Sequence, residues 1–137
     1  RFVPELDGIQ ELLKRKQIGY ASVRGGVSNR AEEIRRFQED ADCRVFVGQI
    51  AAAGLGITLT AASTMVFYSL DYSMSNFEQA KARIHRVSQT ENCLYIYLTA
   101  KHTVDTKILR ALRDKADLAK MLVDDYRNGI NPFQEGV

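Results

Sequence analysis

Two arginines placed three residues apart are the side chains best suited to chemistry in this sequence. Arg83 and Arg86 lie in the segment QAKARIHRVSQ, residues 79–89, where a helix is predicted. Residues at this spacing share one face of a helix. Guanidinium groups stay charged and can each bind two oxygens, so the pair suits the charge that develops on a phosphoryl group during transfer. The alternative is that both are ordinary cations in the last turn of a helix, favoured there by its dipole.

A stretch of small residues, AAAGLGITLTAAS at residues 51–63, is the second candidate. Gly54 and Gly56 would let the backbone approach a partner closely, and the hydroxyls of Thr58 and Thr60 follow near the same place. The alternative is a tight turn that packs small residues beneath a strand. The two interpretations are compatible, because a packed turn can also face a ligand.

Gly25, Gly26 and Arg30 form a weaker third set. Backbone amides at the start of a helix, together with one arginine, are suited to binding a phosphate. Such a contact would carry no information about base sequence. The alternative is a strand-to-helix turn followed by an exposed arginine.

Several kinds of site are missing from the sequence. There is no GxxxxGK[ST] phosphate loop, and no acidic pair follows a strand in a way that would hold magnesium. No nucleophile–base pair or metal-ligand cluster indicates a self-contained enzyme. Cys43 and Cys93 lie far apart without a neighbouring Cys or His, so we predict buried free thiols and no metal site. Any nucleotide chemistry must therefore take its phosphate cradle and its metal from elsewhere.

The elements that position these residues alternate along the chain. Apolar periodicity and turn residues predict the order helix, strand, helix, strand, strand, helix, strand, helix. The helices are expected to begin at Pro4, after Ser28 or Asn29, at a capping box that starts with Ser75, and at Thr103. The strands are expected at residues 20–23, 44–48, 64–70 and 92–99.

Two strands carry a further prediction about burial. The run at residues 65–68 does not alternate, which is typical of a parallel strand covered on both faces. In the last strand, Leu94, Ile96 and Leu98 alternate with Tyr95 and Tyr97, so one face should be drier than the other. The final helix is expected to turn a stripe of apolar residues inward: Val104, Ile108, Leu112, Ala116, Ala119 and Leu122 or Val123.

This alternation of elements predicts an α/β fold in which a parallel sheet is covered by helices on both faces, a three-layer α/β/α arrangement. In such sheets, ligands bind beyond the carboxyl ends of the strands. The loops at residues 25–26, 49–60 and 71–75 and the start of the last helix are therefore the expected functional surface.

The composition is that of an ordinary globular domain. The chain has 137 residues, of which 45% are apolar and 26% charged, and its net charge is +2. It contains neither an apolar stretch long enough to span a bilayer nor a secretory leader, so we expect a cytoplasmic protein, or a nuclear one in a eukaryote. The small net charge neither requires nor excludes a nucleic-acid partner.

Two segments together resemble a known family. Residues 49–63 with the following strand TMVFYSLDYS, and residues 79–89, resemble motifs V and VI of superfamily-two helicases in the Swi/Snf-related branch. YASVRGGVSNR at residues 20–30 is similar to motif IVa, and TVDTKILRALRDKADLAKMLV to the closing helix, most like bacterial and phage versions. The resemblance covers residues 2 to about 126. It implies the second, C-terminal RecA-like lobe, over residues 1–126, with a flexible tail at 127–137.

The resemblance also implies roles for individual residues. Arg83 and Arg86 would be arginine fingers that reach across a cleft to ATP, while Gly54, Gly56 and Gln79 would contact the nucleotide. The residues implied to contact the nucleic-acid backbone are Gly25, Arg30, Gln49 and Thr58. ATP and Mg²⁺ would be held mainly by an N-terminal RecA-like lobe, and the partner strand would be DNA, with RNA also possible. A strand would precede the first helix, with Arg1-Phe2-Val3 representing its end.

Two other functions stay open at this point. The chain could be a stand-alone module that binds nucleic acid or protein and keeps the fold without motor activity. It could also be a small α/β enzyme with its own site, which the missing nucleophile, base and metal ligands disfavour.

Overall fold

The computed structural model describes residues 3–26, 28–49, 56–69 and 72–129. The helices are α1 (Val3–Arg15), α2 (Arg30–Glu39), α3 (Met74–Lys81) and α4 (Val104–Arg127), and the strands are β1 (Gly19–Val23), β2 (Cys43–Gly48), β3 (Thr64–Phe67) and β4 (Leu94–Tyr97). The order along the chain is the predicted one. The strand expected to end at Val3 is not seen, because Val3 already begins α1; residues 1–2 lie outside the described part.

The strands pair in parallel, as predicted, but within the described residues they form two separate pairs. β1 pairs with β2, and β3 pairs with β4. A shared core joins the pairs: Ala21 and Cys43 from the first pair lie in the same cluster as Met65 and Tyr95 from the second. The described elements form an α/β arrangement in which the strands of each pair run parallel.

Helices cover both faces of the first strand pair. Leu6 and Leu13 of α1 pack against Val47 on one face. Phe37 of α2 packs against Ala21 and Cys43 on the other. The predicted three-layer arrangement is therefore present over β1 and β2.

The second strand pair is covered on one face only within the described residues. Phe67 packs with Phe77 of α3 and with Ile108 and Leu112 of α4, and its ring stacks on that of Tyr97 at 5.2 Å. The opposite face of β3 is open, since Val66 is 52% exposed. The prediction that this strand is covered on both faces is therefore wrong for the part described.

In β4 the tyrosines form the drier face. Tyr95 and Tyr97 pack against the core, while Leu94, Ile96 and Leu98 are exposed. The predicted alternation with one drier face is confirmed, and the pattern alone left open which residues form that face. The tyrosines form it because α3 and α4 lie over the odd-numbered residues of both strands, and a tyrosine can bury its ring while its hydroxyl reaches a polar partner. Tyr95 does so, because its hydroxyl donates to the carbonyl oxygen of Lys81 at 3.3 Å.

The helix ends differ from the prediction in detail. The hydroxyl of Ser73, not of Ser75, accepts a hydrogen bond from the Asn76 amide at 3.2 Å and caps α3. The N-cap of α2 is Asn29, without a side-chain bond. Thr103 caps α4, as expected.

The predicted inward stripe of α4 is only partly buried. Ile108 and Leu112 are buried, but Val104 and Val123 are about half exposed and Ala119 is also exposed. The stripe is exposed towards its end because only the first half of the helix packs over the β3–β4 pair. The helix ends at Arg127, and Gly129, with φ +74°, follows the capping residue Asn128. The predicted tail beyond residue 129 lies outside the described residues. Across the ranges described, none of the helices combines the length and apolar character that crossing a bilayer requires.

Candidate functional site

Arg83 and Arg86 lie in a chain of turns that follows α3, not on a helix. The helix ends at Lys81, and residues 82–88 form turns and bends. The Arg83 amide bonds the Ala80 carbonyl, three residues back, which tightens the chain out of α-helical geometry. Ile84, which lies between the two arginines in the sequence, is 2% exposed and packs in the core. The prediction that both share one helix face is therefore wrong, since core packing of Ile84 overrides the helical pattern.

Arg83 is the one buried charged residue in the described part of the chain. Its exposure is 6%, whereas the prediction had both guanidinium groups reaching out of the domain. Burial lowers the pKa of Arg83, and the positive charges of Arg86 and Arg30 lower it further. The buried Arg83 side chain is therefore close enough to two further arginines for their charges to act on it. Charge gathered in this way is favourable for a bound anion.

Arg86 is exposed and connects this group to the small-residue loop. One of its terminal nitrogens, Nη1, donates to the hydroxyl of Thr58 at 3.1 Å, and its Nε donates to the Ala82 carbonyl at 3.3 Å. The structure therefore brings together Arg83, Arg86, Arg30 and Thr58, four residues that the sequence predicted as parts of a site.

The loop at residues 56–62 alternates between core and site. Ile57 and Leu59 are both 6% exposed and pack in the core, while the intervening Thr58 and Thr60 turn their hydroxyls towards residues 86–88. Gly56 has φ +68°, a conformation that favours glycine. Thus the loop is a packed turn and also presents hydroxyls at the arginines. Gly54 lies outside the described residues.

Gly25 and Gln49 meet at the carboxyl ends of β1 and β2. The Gly25 amide lies 3.5 Å from the side-chain oxygen of Gln49, and the next residue, Gly26, has φ +82°. This is the edge of the sheet where ligand contacts were predicted.

Gln79 is less closely connected to the site. It is exposed on α3 and donates to the Ser75 hydroxyl at 3.1 Å. Among the bonds of the described residues, none joins Gln79 to Arg83 or Arg86. Its predicted nucleotide contact stays a prediction.

Sequence reasoning missed the residues that hold the site together. Gln38 of α2 bonds both the hydroxyl of Thr60 and the amide of Ala61. Gln89 donates to three main-chain carbonyls, of which two belong to the 56–62 loop. Gln89 closes the motif at residues 79–89, so its position could have drawn attention to it. Gln38 lies in an ordinary amphipathic helix and gave no signal.

The chemistry that this arrangement can perform is binding of a polyanion. The positive charges of Arg86 and Arg30 act on Arg83, and Arg86 also bonds the Thr58 hydroxyl. Among the described residues, no group of three or more His, Cys, Asp or Glu side chains could hold a metal ion. Guanidinium groups and hydroxyls suit phosphate oxygens, and a phosphate-bound metal would need ligands other than the described residues.

A separate cavity of about 580 Å³ lies along the outer side of β1 between α1 and α2. Its lining includes Gln10, Ser22, Glu33 and Arg36, and none of the predicted site residues. The cavity is therefore separate from Arg30, Arg83 and Arg86, none of which lines it.

Comparison with known proteins identifies the family. The model of the helicase conserved C-terminal domain matches residues 1–88, which include the 56–62 loop and both Arg83 and Arg86. The chain belongs to this family. Arg83 and Arg86 are therefore residues of a helicase C-terminal domain.

The similar proteins are large eukaryotic ATPases. The chain is 33% identical to the chromatin-remodeling ATPase INO80 of Drosophila melanogaster over 120 residues, 86% of this chain and 7% of that protein. It is 34% identical over 136 residues to the mouse SWI/SNF-related matrix-associated actin-dependent regulator of chromatin subfamily A containing DEAD/H box 1, covering 96% of this chain and 13% of that protein. These relatives do not support the expected likeness to bacterial or phage versions.

A solved structure confirms the fold. The C-terminal part of the Fun30 ATPase domain superposes with a TM-score of 0.76 at 26% identity, covering 81% of this chain and 37% of that one. The predicted RecA-like α/β fold is confirmed by this similarity. The chain spans only a small part of the length of the INO80 and DEAD/H box 1 relatives, 7% and 13% respectively.

Proposed function

We propose that this chain is the second RecA-like lobe of an ATP-dependent DNA helicase or translocase and that it completes an ATP site shared with an N-terminal lobe. The observation that carries the proposal is the convergence of Arg83, Arg86 and Arg30 beside the Thr58 hydroxyl. This group suits a triphosphate, while the phosphate loop and the metal ligands would come from the N-terminal lobe. Family membership supports the same division of labour.

In this proposal the two arginines act at different stages. Arg86 is exposed and can meet the phosphates as the lobes close, giving up its bond to Thr58. Arg83 is buried beside like charges, so an anion arriving between the arginines would relieve their repulsion and draw them together. Magnesium-bound ATP supplies the phosphoryl group and its leaving group. An arginine finger is worth about 10³–10⁵ in rate in related hydrolyses.

Nucleic-acid contacts are proposed for the neighbouring loops. Gly25 and Gln49 lie together at the ends of β1 and β2, where a main-chain amide can meet a phosphate. Thr58 bonds Arg86 and the charge of Arg30 acts on Arg83, so we propose that Thr58 and Arg30 serve at the junction of nucleotide and DNA backbone. Gly54, Gly56 and Gln79 are proposed to line the nucleotide side. Because the relatives are named as chromatin regulators, DNA in a nuclear setting is the proposed substrate.

The test is ATP hydrolysis by the full-length protein, with and without duplex DNA. We expect Arg86→Ala and Arg83→Ala to lower DNA-stimulated kcat by about 10²-fold or more, in line with the loss of transition-state charge stabilisation. Arg35→Ala is the matched control, since Arg35 is exposed on α2 and paired with Glu32 and Glu39. RNA in place of DNA shows which nucleic acid stimulates turnover.

Full activity in both arginine variants would refute the proposal. A full-length protein that binds DNA but hydrolyses no ATP would instead support a binding module that retains the fold without motor activity.

A further inference from the structure

We propose that Gln89 is a positioning residue that holds the Arg83–Arg86 segment against the 56–62 loop and thereby sets where the arginines meet phosphate. The inference rests on the proposed function, since it concerns the same site. Gln89 itself is not proposed to touch nucleotide.

The contacts of Gln89 run in two directions from one amide group. Its Nε2 lies 2.7 Å from the Ala62 carbonyl and 3.3 Å from the Thr60 carbonyl, both in the loop. The same nitrogen lies 3.0 Å from the carbonyl of Ile84, between the two arginines. Its Oε1 accepts from the Glu91 amide at 3.1 Å, which fixes the orientation of the amide so that the nitrogen faces the carbonyls. One side chain therefore bridges the loop and the arginine segment.

The Gln89 contacts hold a segment, residues 82–88, that has no regular secondary structure. α3 ends at Lys81, and residues 82–88 are held by turns rather than by a helical ladder. The other links to the loop are the Leu59 amide to the Arg83 carbonyl at 2.9 Å, Arg86 to Thr58 at 3.1 Å, and the weaker Ser88 hydroxyl to Thr60 at 3.4 Å. Gln89 is half-buried and anchors the end of this series.

Gln89→Glu is the sharpest perturbation. The side chain keeps its shape, but an acceptor oxygen replaces the donor nitrogen and faces three carbonyl oxygens. Repulsion should move the segment away from the loop. A displacement of about 1 Å at a catalytic centre can cost on the order of 10²-fold in rate. Gln89→Ala removes the donor without adding charge, so a smaller loss in the same direction is expected.

The experiment uses the full-length protein and two readouts. The first is DNA-stimulated kcat and KM for ATP. The second compares affinity for ADP alone with affinity for ADP and aluminium fluoride, which imitates the transferring phosphoryl group. We expect Gln89→Glu to lower kcat by about 10²-fold with little change in KM, and to weaken the aluminium fluoride complex while ADP affinity stays within about twofold. Gln17→Glu makes the same exchange at an exposed turn after α1 and should change neither readout.

Each result has a defined meaning. Wild-type kcat and wild-type analogue affinity in Gln89→Glu, with losses in Arg83→Ala and Arg86→Ala, overturn the role of Gln89 and leave the proposed function standing. Full activity in all of these variants refutes the proposed function itself. Equal weakening of ADP and analogue binding, or loss of folding in both Gln89 variants, assigns the residue to stability and overturns the positioning role.

Discussion

Truncation of Ile84 is expected to weaken the domain far more than truncation of a residue three positions away in the same segment. Ile84 is 2% exposed and packs in the cluster that contains Phe37, Ile57 and Leu59, whereas Val87 is fully exposed at 107%. The two residues therefore share a segment but differ in every contact that contributes to burial.

The magnitudes follow from the burial. Removing one methylene by Ile84→Val should cost about 0.5–1.5 kcal/mol, and Ile84→Ala about 2–5 kcal/mol, because the buried site loses transfer energy and leaves a cavity. Val87→Ala removes more carbon than Ile84→Val but should change stability by no more than about 0.5 kcal/mol, as an exposed substitution.

Equilibrium urea unfolding followed by circular dichroism measures these differences. The midpoint should fall in the order Val87→Ala, Ile84→Val, Ile84→Ala, with the slope unchanged. If Ile84→Ala unfolds at the same urea concentration as Val87→Ala, then the arginine segment is not anchored in the core and the placement of Arg83 and Arg86 loses its physical basis.

Three further outcomes are expected elsewhere in the chain. On the edge of β1 away from β2, Glu33 accepts a hydrogen bond from the Ser22 amide and Arg36 donates one to the Tyr20 carbonyl. The double variant E33A/R36A should expose this edge and self-associate. Sedimentation velocity would detect the dimers or larger species. Cys43 is buried, and burial raises the pKa of its thiol, so a thiol reagent should modify the more accessible Cys93 first. Faster modification of Cys43, measured by peptide mapping, would contradict the burial of Cys43. Burial raises the pKa of Tyr95 from its ordinary 10.0 to about 12, so its stabilising contribution is present below pH 10 and lost as pH rises from about 10 to 12. The Tyr95→Phe variant should therefore lose less stability over that range of pH. An alkaline stability profile identical to that of the wild type would argue against the raised pKa.

The order of elements was predictable because it depends on local patterns. Apolar spacing marks α1 and α2, and glycines or capping residues mark the ends of most elements. The parallel pairing followed from the alternation of strands and helices. What the pattern of β4 could not provide is which face turns inward, because Tyr95 and Tyr97 are as able to pack as Leu94 and Ile96. That choice depends on the positions of α3 and α4 in space.

The candidate site was predictable as a set of residues but not as a geometry. The types and spacing of Arg83 and Arg86 indicated phosphate chemistry, and Thr58 was named as a candidate contact without any prediction that it bonds Arg86. Their helical placement was wrong, since the end of α3 depends on Ile84 packing against residues distant in sequence. The burial of Arg83 could not be foreseen for the same reason. Gln89 was overlooked although it closes the motif at residues 79–89, because the motif does not show the main-chain carbonyls that its side chain contacts.

The most direct measurement is a structure of the full-length protein bound to DNA, ADP and aluminium fluoride. We expect guanidinium nitrogens of Arg86 and of Arg83 at about 3 Å from the aluminium fluoride group, with the 56–62 loop facing the same cleft. A complex in which the anion is contacted only by the other lobe, with both arginines turned away from it, would contradict the proposed arginine-finger role.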